Sequence, residues 1–231
     1  DLQCVDLCSE EVLLWIFMCV GRLQPSNFFH PYLAALPHVS PQPTSWPEHL
    51  REELRHTALF DLVEETRDYL QHIFDNFVRD LPSHIPHLVP TGCFESVDDL
   101  YWACGMCMSR AFFCADAPSQ HDASFGCWTG VDGKVRGVLL PLLDLLNHRP
   151  SQPITWLTAS DAVRFRTDQD IKQGAEVFND YGSKSNEDLL FAHGFCVWPN
   201  PFDIVSLFLA SDNTETSRIR YAINSQANGG V

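Results

Sequence analysis

The chain is short of positive charge. It carries 15 Lys and Arg against 30 Asp and Glu, for a formal charge of −15, whereas a phosphate backbone is bound by clustered Lys and Arg. Direct nucleic-acid binding is thereby excluded, and the partner that suits such a surface is a basic protein or peptide segment. Long hydrophobic runs are missing too. The longest near-continuous apolar stretch, Val12 to Val20, is too short to cross a bilayer and follows the acidic pair Glu10 and Glu11 rather than basic residues. Neither a membrane span nor a signal peptide is expected. The nine cysteines, at 4, 8, 19, 93, 104, 107, 114, 127 and 196, make no repeated framework, which suits reduced thiols in a cytoplasmic or nuclear protein. Cys104 and Cys107 form a C-x-x-C with no second pair to complete a zinc site, and they read as core residues; His84 and His87, flanked by prolines, read as solvated loop. No phosphate loop, nucleophile elbow, internal repeat or low-complexity tract occurs.

What is present is enough apolar material to fold. With 231 residues, 45% hydrophobic and 12% aromatic, the chain can bury a core as one domain or as a domain with a large insertion. It begins at Asp1 rather than Met, as a processed form or a fragment would. Ser9 is placed to cap a helix whose first turn holds Glu10 and Glu11 and whose buried stripe is Val12, Trp15, Ile16, Cys19 and Leu23. Prolines at 31, 37, 41, 43 and 47 then forbid regular structure, and helical periodicity returns from Glu48 to Asp80 with Leu62, Thr66, Tyr69, Ile73 and Phe77 on one stripe. Ser96 and Asp99 read as a capping pair for a third helix through Leu100, Ala103, Cys104, Cys107 and Ala111.

Beyond that helix the pattern changes to short strands: Val135 to Leu140, Ile154 to Ala159, Val163 to Thr167, Glu176 to Asn179 and Ile204 to Leu209, with turns at Asp132-Gly133 and Gln173-Gly174. Two stretches in this half place polar side chains where a rigid element ends. Asn147 and His148 close the apolar run "GVLLPLLDLLNH", and Tyr181 sits in "FNDYG", a turn between a strand and a helix where a phenol can face a cleft. Taken singly, Asn-His equally suits a helix cap and Tyr-Gly a plain turn.

In combination, "YWACGMCMSRAFF", "GVLLPLLDLLNH" and "DIKQGAEVFNDYGSKSNEDLLFAHGFCV" resemble the SET-domain methyltransferases, in the subgroup similar to Rubisco large-subunit methyltransferase. The resemblance covers most of the chain and implies an α+β fold. A SET-type β-rich core of short strands would carry a large helical insertion, and the C-terminal motif would make a knot-like passage beside the Asn-His segment. It divides the chain into a helical insertion region at 1–95, a SET core at 96–205 and the start of a C-terminal region at 206–231. The activity implied is S-adenosylmethionine-dependent transfer of a methyl group to a lysine nitrogen of a protein substrate, with histidine as another possible acceptor and no metal required. Carried over residue by residue, Arg110 and Phe112 of "SRAF" match positions that contact the cofactor, Arg110 at its carboxylate. Asn147 and His148 match the pair that holds the cofactor, Tyr181 the active-site tyrosine, Phe195 an aromatic wall of the channel, and Asp144 an acidic position beside the target side chain.

The chain departs from the family pattern in three places. No Gly-Arg-Gly-type segment precedes Ser9, so the chain is either a fragment or impaired in cofactor binding. His193 of "AHGF" stands where the family often has Tyr, and little sequence follows Phe208 to make a helical C-terminal domain. The first departure keeps a second reading open, a non-catalytic SET-like module that binds a basic protein segment.

Overall fold

The computed structural model describes residues 9–114, 136–158, 163–209 and 217–222. The Asp132-Gly133 turn and the outer ends of two expected strands, Val135 and Ala159, lie outside them. Among the described residues no helix is long and apolar enough to cross a membrane.

The helical half is built around two helices that cross in the core. Helix α1 (Glu10–Leu23) starts at Ser9, whose Oγ accepts the Val12 N–H at 3.4 Å, and buries Val12, Trp15, Met18 and Cys19. A short helix α2 (His30–Ala35) follows, and then a proline-rich connector leads to α3 (Glu48–Arg51). Helix α4 (Ala58–Ile73) continues into one π-helical turn, Phe74–Val78, ahead of the short α5 (Leu81–His84). Helix α6 (Asp98–Arg110) buries Leu100 through Cys107 without a gap and forms the centre of the main core with α1, Leu33, Leu36, Leu70, Ile73, Phe74 and Val78. Cys104 and Cys107 are core residues, with the Cys107 thiol 3.2 Å from the Met18 sulfur. His84 and His87 are exposed.

Two local expectations are corrected. The pattern from Glu48 to Asp80 is interrupted: Thr57 caps a fresh helix by accepting the Phe60 N–H, and the buried stripe is Leu59, Val63, Leu70, Ile73 and Phe74, leaving Tyr69 52% exposed. The buried set already lies one position beyond the expected one at Val63 and Leu70, upstream of the π turn at Phe74–Val78. Ser96 and Asp99 do not form the reciprocal cap either. Ser96 Oγ accepts the N–H of Asp98, and Asp99 instead accepts the Phe94 N–H and the Arg22 guanidinium.

The strands pair as four two-stranded ladders among the described residues. Strands β1 (Ala111–Cys114) and β2 (Arg136–Leu139) are antiparallel, as are β4 (Ile154–Thr158) with β5 (Val163–Thr167) and β7 (Ile204–Leu209) with β8 (Ser217–Ala222). Strand β3 (Asn147–His148) runs parallel to β6 (Phe178–Asn179), so the Asn-His and Asn-Asp-Tyr segments lie side by side. Helix α7 (Asn186–His193) then packs Phe191 on Leu59 and Val63 of α4. Gln42, from the proline-rich connector, ties both halves together: its fully buried amide donates to Gly105 O at 2.8 Å and Ala192 O at 3.1 Å. Gly105 has to be glycine, since a Cβ there would stand 2.7 Å from the Gln42 Oε1 atom.

Candidate active site

The site is assembled at the end of β2. Leu142, at φ +80°, bends the chain out of the strand and into a 3₁₀ turn, Leu143–Leu145, which points Asp144 inward. A backbone held in this sparsely populated region costs on the order of 1–3 kcal/mol and is the kind of strain that collects at functional sites. Asp144 is buried to 0% side-chain exposure and pairs with Arg110, whose Nη1 lies 3.2 Å from Oδ2 and 3.3 Å from the Asp144 carbonyl. The Tyr32 hydroxyl, from α2, donates to the same Oδ2 at 2.7 Å. Two atoms of this buried cluster are left with no partner, Asp144 Oδ1 and Arg110 Nε.

Three residues further on, β3 presents its two side chains to opposite faces. His148 is buried; Asn147 is exposed and donates to Glu176 at 2.6 Å. Tyr181 is fastened to this strand twice. Its N–H donates to His148 Nδ1 at 3.0 Å and its hydroxyl donates to Leu146 O at 2.7 Å. Because Nδ1 is an acceptor, the neutral imidazole carries its proton on Nε2. Burial pushes the His148 pKa down, the Lys184 charge adds to that, and Asp180, 3.9 Å from Nδ1, pulls the other way.

The Tyr181 ring stacks on His148 with centroids 5.0 Å apart, and His193 closes the other side at 4.7 Å. Phe195 stands 6.3 Å from both Tyr181 and His148. His193 and Phe195 are brought back to Tyr181 by Gly194, which ends α7 at φ +77° where a side chain would be strained, and where a Cβ would lie 2.7 Å from Pro41 Cβ. Burial, with help from the Lys184 charge, pushes the His193 imidazole down to about 3, and its Nδ1 is buried without a partner. The Tyr181 phenol is pushed up by burial, while Arg110 and Asp144 act on it with opposite signs. The Leu146 carbonyl that holds this phenol is two residues from Asp144.

Of the residues picked out in the sequence, Arg110 joins Asp144, and His148, Tyr181 and Phe195 form one aromatic cluster with His193. Phe112 stands apart from these rings, tilted against Trp156 at 4.9 Å. It is linked back to the strand pair because the Trp156 indole donates to the buried Asn179 Oδ1, which also accepts the Asp180 N–H. Asn147 is not in the cluster. Tyr32, Trp156 and Asn179 were not singled out as site residues, and Asn179 ends the two-residue strand β6.

The chain that makes this Arg-Asp ion pair and ties this tyrosine to the Asn-His strand belongs to the SET domain family, whose model matches residues 10–182. Among curated proteins it is 29% identical over 210 residues to the ribosomal lysine N-methyltransferase set10 of Schizosaccharomyces pombe, covering 89% of this chain and 35% of that protein. It is 24% identical over 208 residues to the actin-histidine N-methyltransferase of Xenopus tropicalis, covering 89% of this chain and 33% of that protein. The SET domain of LSMT, in a crystal structure bound to lysine and AdoHcy, superposes with a TM-score of 0.72 at 17% identity, covering 98% of this chain and 52% of the other. The chain thus spans about a third of these curated relatives' length. The fold is the SET-type mixture of helices and short strands expected from the sequence.

Proposed function

We propose that the protein is an S-adenosylmethionine-dependent protein methyltransferase that modifies a lysine side chain. The observation that carries this reading is Tyr181, held by its own N–H and O–H on His148 and Leu146 beside a buried ion pair with unused polar atoms. The residues present fit the cofactor. Arg110 offers an unpartnered Nε and a guanidinium matched to a carboxylate, Phe112 with Trp156 offers an aromatic surface, and His148 offers main-chain groups at a strand end. The Asn147 side chain is occupied by Glu176, so its share falls to its main chain.

When bound, the cofactor would supply an electrophilic sulfonium methyl for transfer to a neutral nitrogen, with the thioether as leaving group. The chain's residues supply alignment and a fixed field. With its proton committed to Leu146 O, the Tyr181 oxygen turns its lone pairs to the opposite side, where they can accept weak C–H···O contacts from a polarised methyl group. His148, His193 and Phe195 exclude water from the phenol. A desolvated ammonium loses its proton more readily than one in water.

Histidine is a second acceptor reading, favoured by the actin-histidine relative and by His193 in the ring cluster. We assign 1–95 to the helical insertion, 96–205 to the SET core and 206–231 to the start of a C-terminal region, with the passage of the Tyr181 segment beside β3 as the knot-like feature. The charge of −15 favours a basic target segment, and a ribosomal lysine methyltransferase among the relatives suits a cytoplasmic site of action, with the nucleus as the other compartment. The test is transfer of a labelled methyl from S-adenosylmethionine by the full-length protein to an array of basic, lysine-containing peptides, followed by hydrolysis and amino-acid analysis. Methyl-lysine is expected, and methyl-histidine would favour the second reading. Cofactor and peptide binding with no label transferred would overturn both in favour of a non-catalytic binding module.

A further inference from the structure

Tyr32 lies in the helical region, 112 residues from Asp144 in sequence, yet its hydroxyl makes the shortest of the hydrogen bonds to the Asp144 carboxylate, 2.7 Å against 3.2 Å for Arg110. Its ring forms one wall of an apolar hollow with Leu14, Phe17, Phe29 and Leu33. The ring is therefore fixed by packing and the hydroxyl is delivered to one oxygen. Both Tyr32 and Arg110 converge on Oδ2, and Oδ1 is left without a partner.

This convergence has a consequence once the functional reading above is adopted, on which the following rests. If Arg110 is to meet a cofactor carboxylate, it has to loosen its hold on Asp144. An aspartate at 0% side-chain exposure that loses the one cation it meets among the described residues becomes an unpaired buried charge, which is strongly unfavourable. We infer that Tyr32 is a positioning residue that keeps the Asp144 carboxylate hydrogen-bonded while Arg110 turns to the cofactor, and so makes cofactor binding possible without disrupting the acceptor side of the site. The phenol is suited to this because burial and the neighbouring Asp144 charge push its pKa upward, so it stays a donor.

The inference predicts a coupling, and a coupling is measured with a double-mutant cycle. The protein is the full-length chain and the probe is S-adenosylhomocysteine, titrated by calorimetry. Tyr32→Phe keeps the ring in its hollow and removes one hydrogen bond to a charged group, a loss of the size that raises Kd about tenfold. In an Asp144→Asn background there is no charge to hold, and the same Tyr32→Phe change should alter Kd by less than about twofold. If Asp144→Asn does not fold, steady-state methylation by Tyr32→Phe gives a second measurement: the cofactor KM should rise with kcat little changed, whereas mere loss of folded protein would lower kcat at constant KM. Normal binding by Tyr32→Phe, an equal effect in both backgrounds, or a fall in kcat alone would overturn the role given to Tyr32. Failure of the wild-type protein to bind S-adenosylhomocysteine would instead overturn the functional reading beneath it.

Discussion

Replacing Tyr181 by Phe separates its two jobs. The ring makes the contacts with His148, His193 and Phe195, and Phe keeps all three. Only the hydroxyl is lost, and with it the 2.7 Å bond to Leu146 O. A hydrogen bond of this kind contributes about 1 kcal/mol net to stability. For a domain of this size that corresponds to a fall in Tm of roughly 2–4 °C. Against a typical stability of about 5–15 kcal/mol the folded fraction stays close to one, so lost folding cannot depress the rate. Removing a preorganised polar group from a reacting centre, by contrast, costs on the order of a hundredfold in turnover, equivalent to about 2.7 kcal/mol of transition-state stabilisation. The assay is single-turnover methylation by the full-length protein, with cofactor affinity and melting temperature taken on the same samples. The expected result is a rate loss near a hundredfold with affinity unchanged. A rate within about threefold of wild type would refute the catalytic role, since the scatter of hydrogen-bond deletions in reacting sites lies well above that.

Other perturbations probe the scaffold. Gly194→Ala combines a left-handed φ of +77° with a collision against Pro41, whereas Gly182→Ala has φ +93° and open space; denaturant unfolding should show Gly194→Ala to be the more destabilising, beyond the roughly 1–2 kcal/mol of strain the two share. Gln42→Ala removes both amide bonds to Gly105 and Ala192 and leaves a buried cavity, and should cost about 2–4 kcal/mol in the same assay; a loss under about 0.5 kcal/mol would contradict the role given to Gln42. His193 is held neutral down to about 3 in the fold and ordinarily titrates near 6.5 when unfolded. Its folded pKa is the lower one, so protons bind the unfolded chain first, and stability is lost as pH falls from about 6.5 toward 3 at up to about 1.4 kcal/mol per unit. His193→Phe should flatten that part of the profile relative to wild type; parallel profiles would show that the imidazole is not buried neutral.

Local signals were legible in the sequence where the controlling interaction is local. Ser9 announces α1 because a cap needs only residues three positions apart, whereas periodicity marks Leu100, Ala103, Cys104 and Cys107 of α6 although the helix buries every residue from Leu100 to Cys107. The stripe on α4 was misplaced by one position, at Leu62 and Tyr69 instead of Val63 and Leu70, because neighbouring apolar residues offer two stripes that periodicity does not separate. Of the site, Arg110, Asp144, His148, Tyr181 and Phe195 were found through motifs, yet the pairing of Arg110 with Asp144 was not. That bond, the Tyr32 hydroxyl and the Trp156–Asn179 contact join residues between 23 and 112 positions apart, and such distances leave no periodic trace. Asn147 shows the opposite limit. A two-residue strand turns neighbouring side chains to opposite faces, which sends Asn147 outward as it sends His148 inward.

Gln42 also sets a timetable. Its two acceptors lie 63 and 150 residues downstream, so as the chain emerges from a ribosome the connector that carries Gln42 appears long before either carbonyl. Chains are extended at about 5–20 residues per second, which leaves this amide waiting on the order of ten seconds for Ala192. Through that interval the first helices can gather around their own contacts, and Pro41 and Gln42 wait for the turn that returns His193 and Phe195 to Tyr181. The ring cluster therefore closes as a late event, and a nascent chain stalled before Ala192 can satisfy Gln42 only at Gly105 and carries an unclosed cleft.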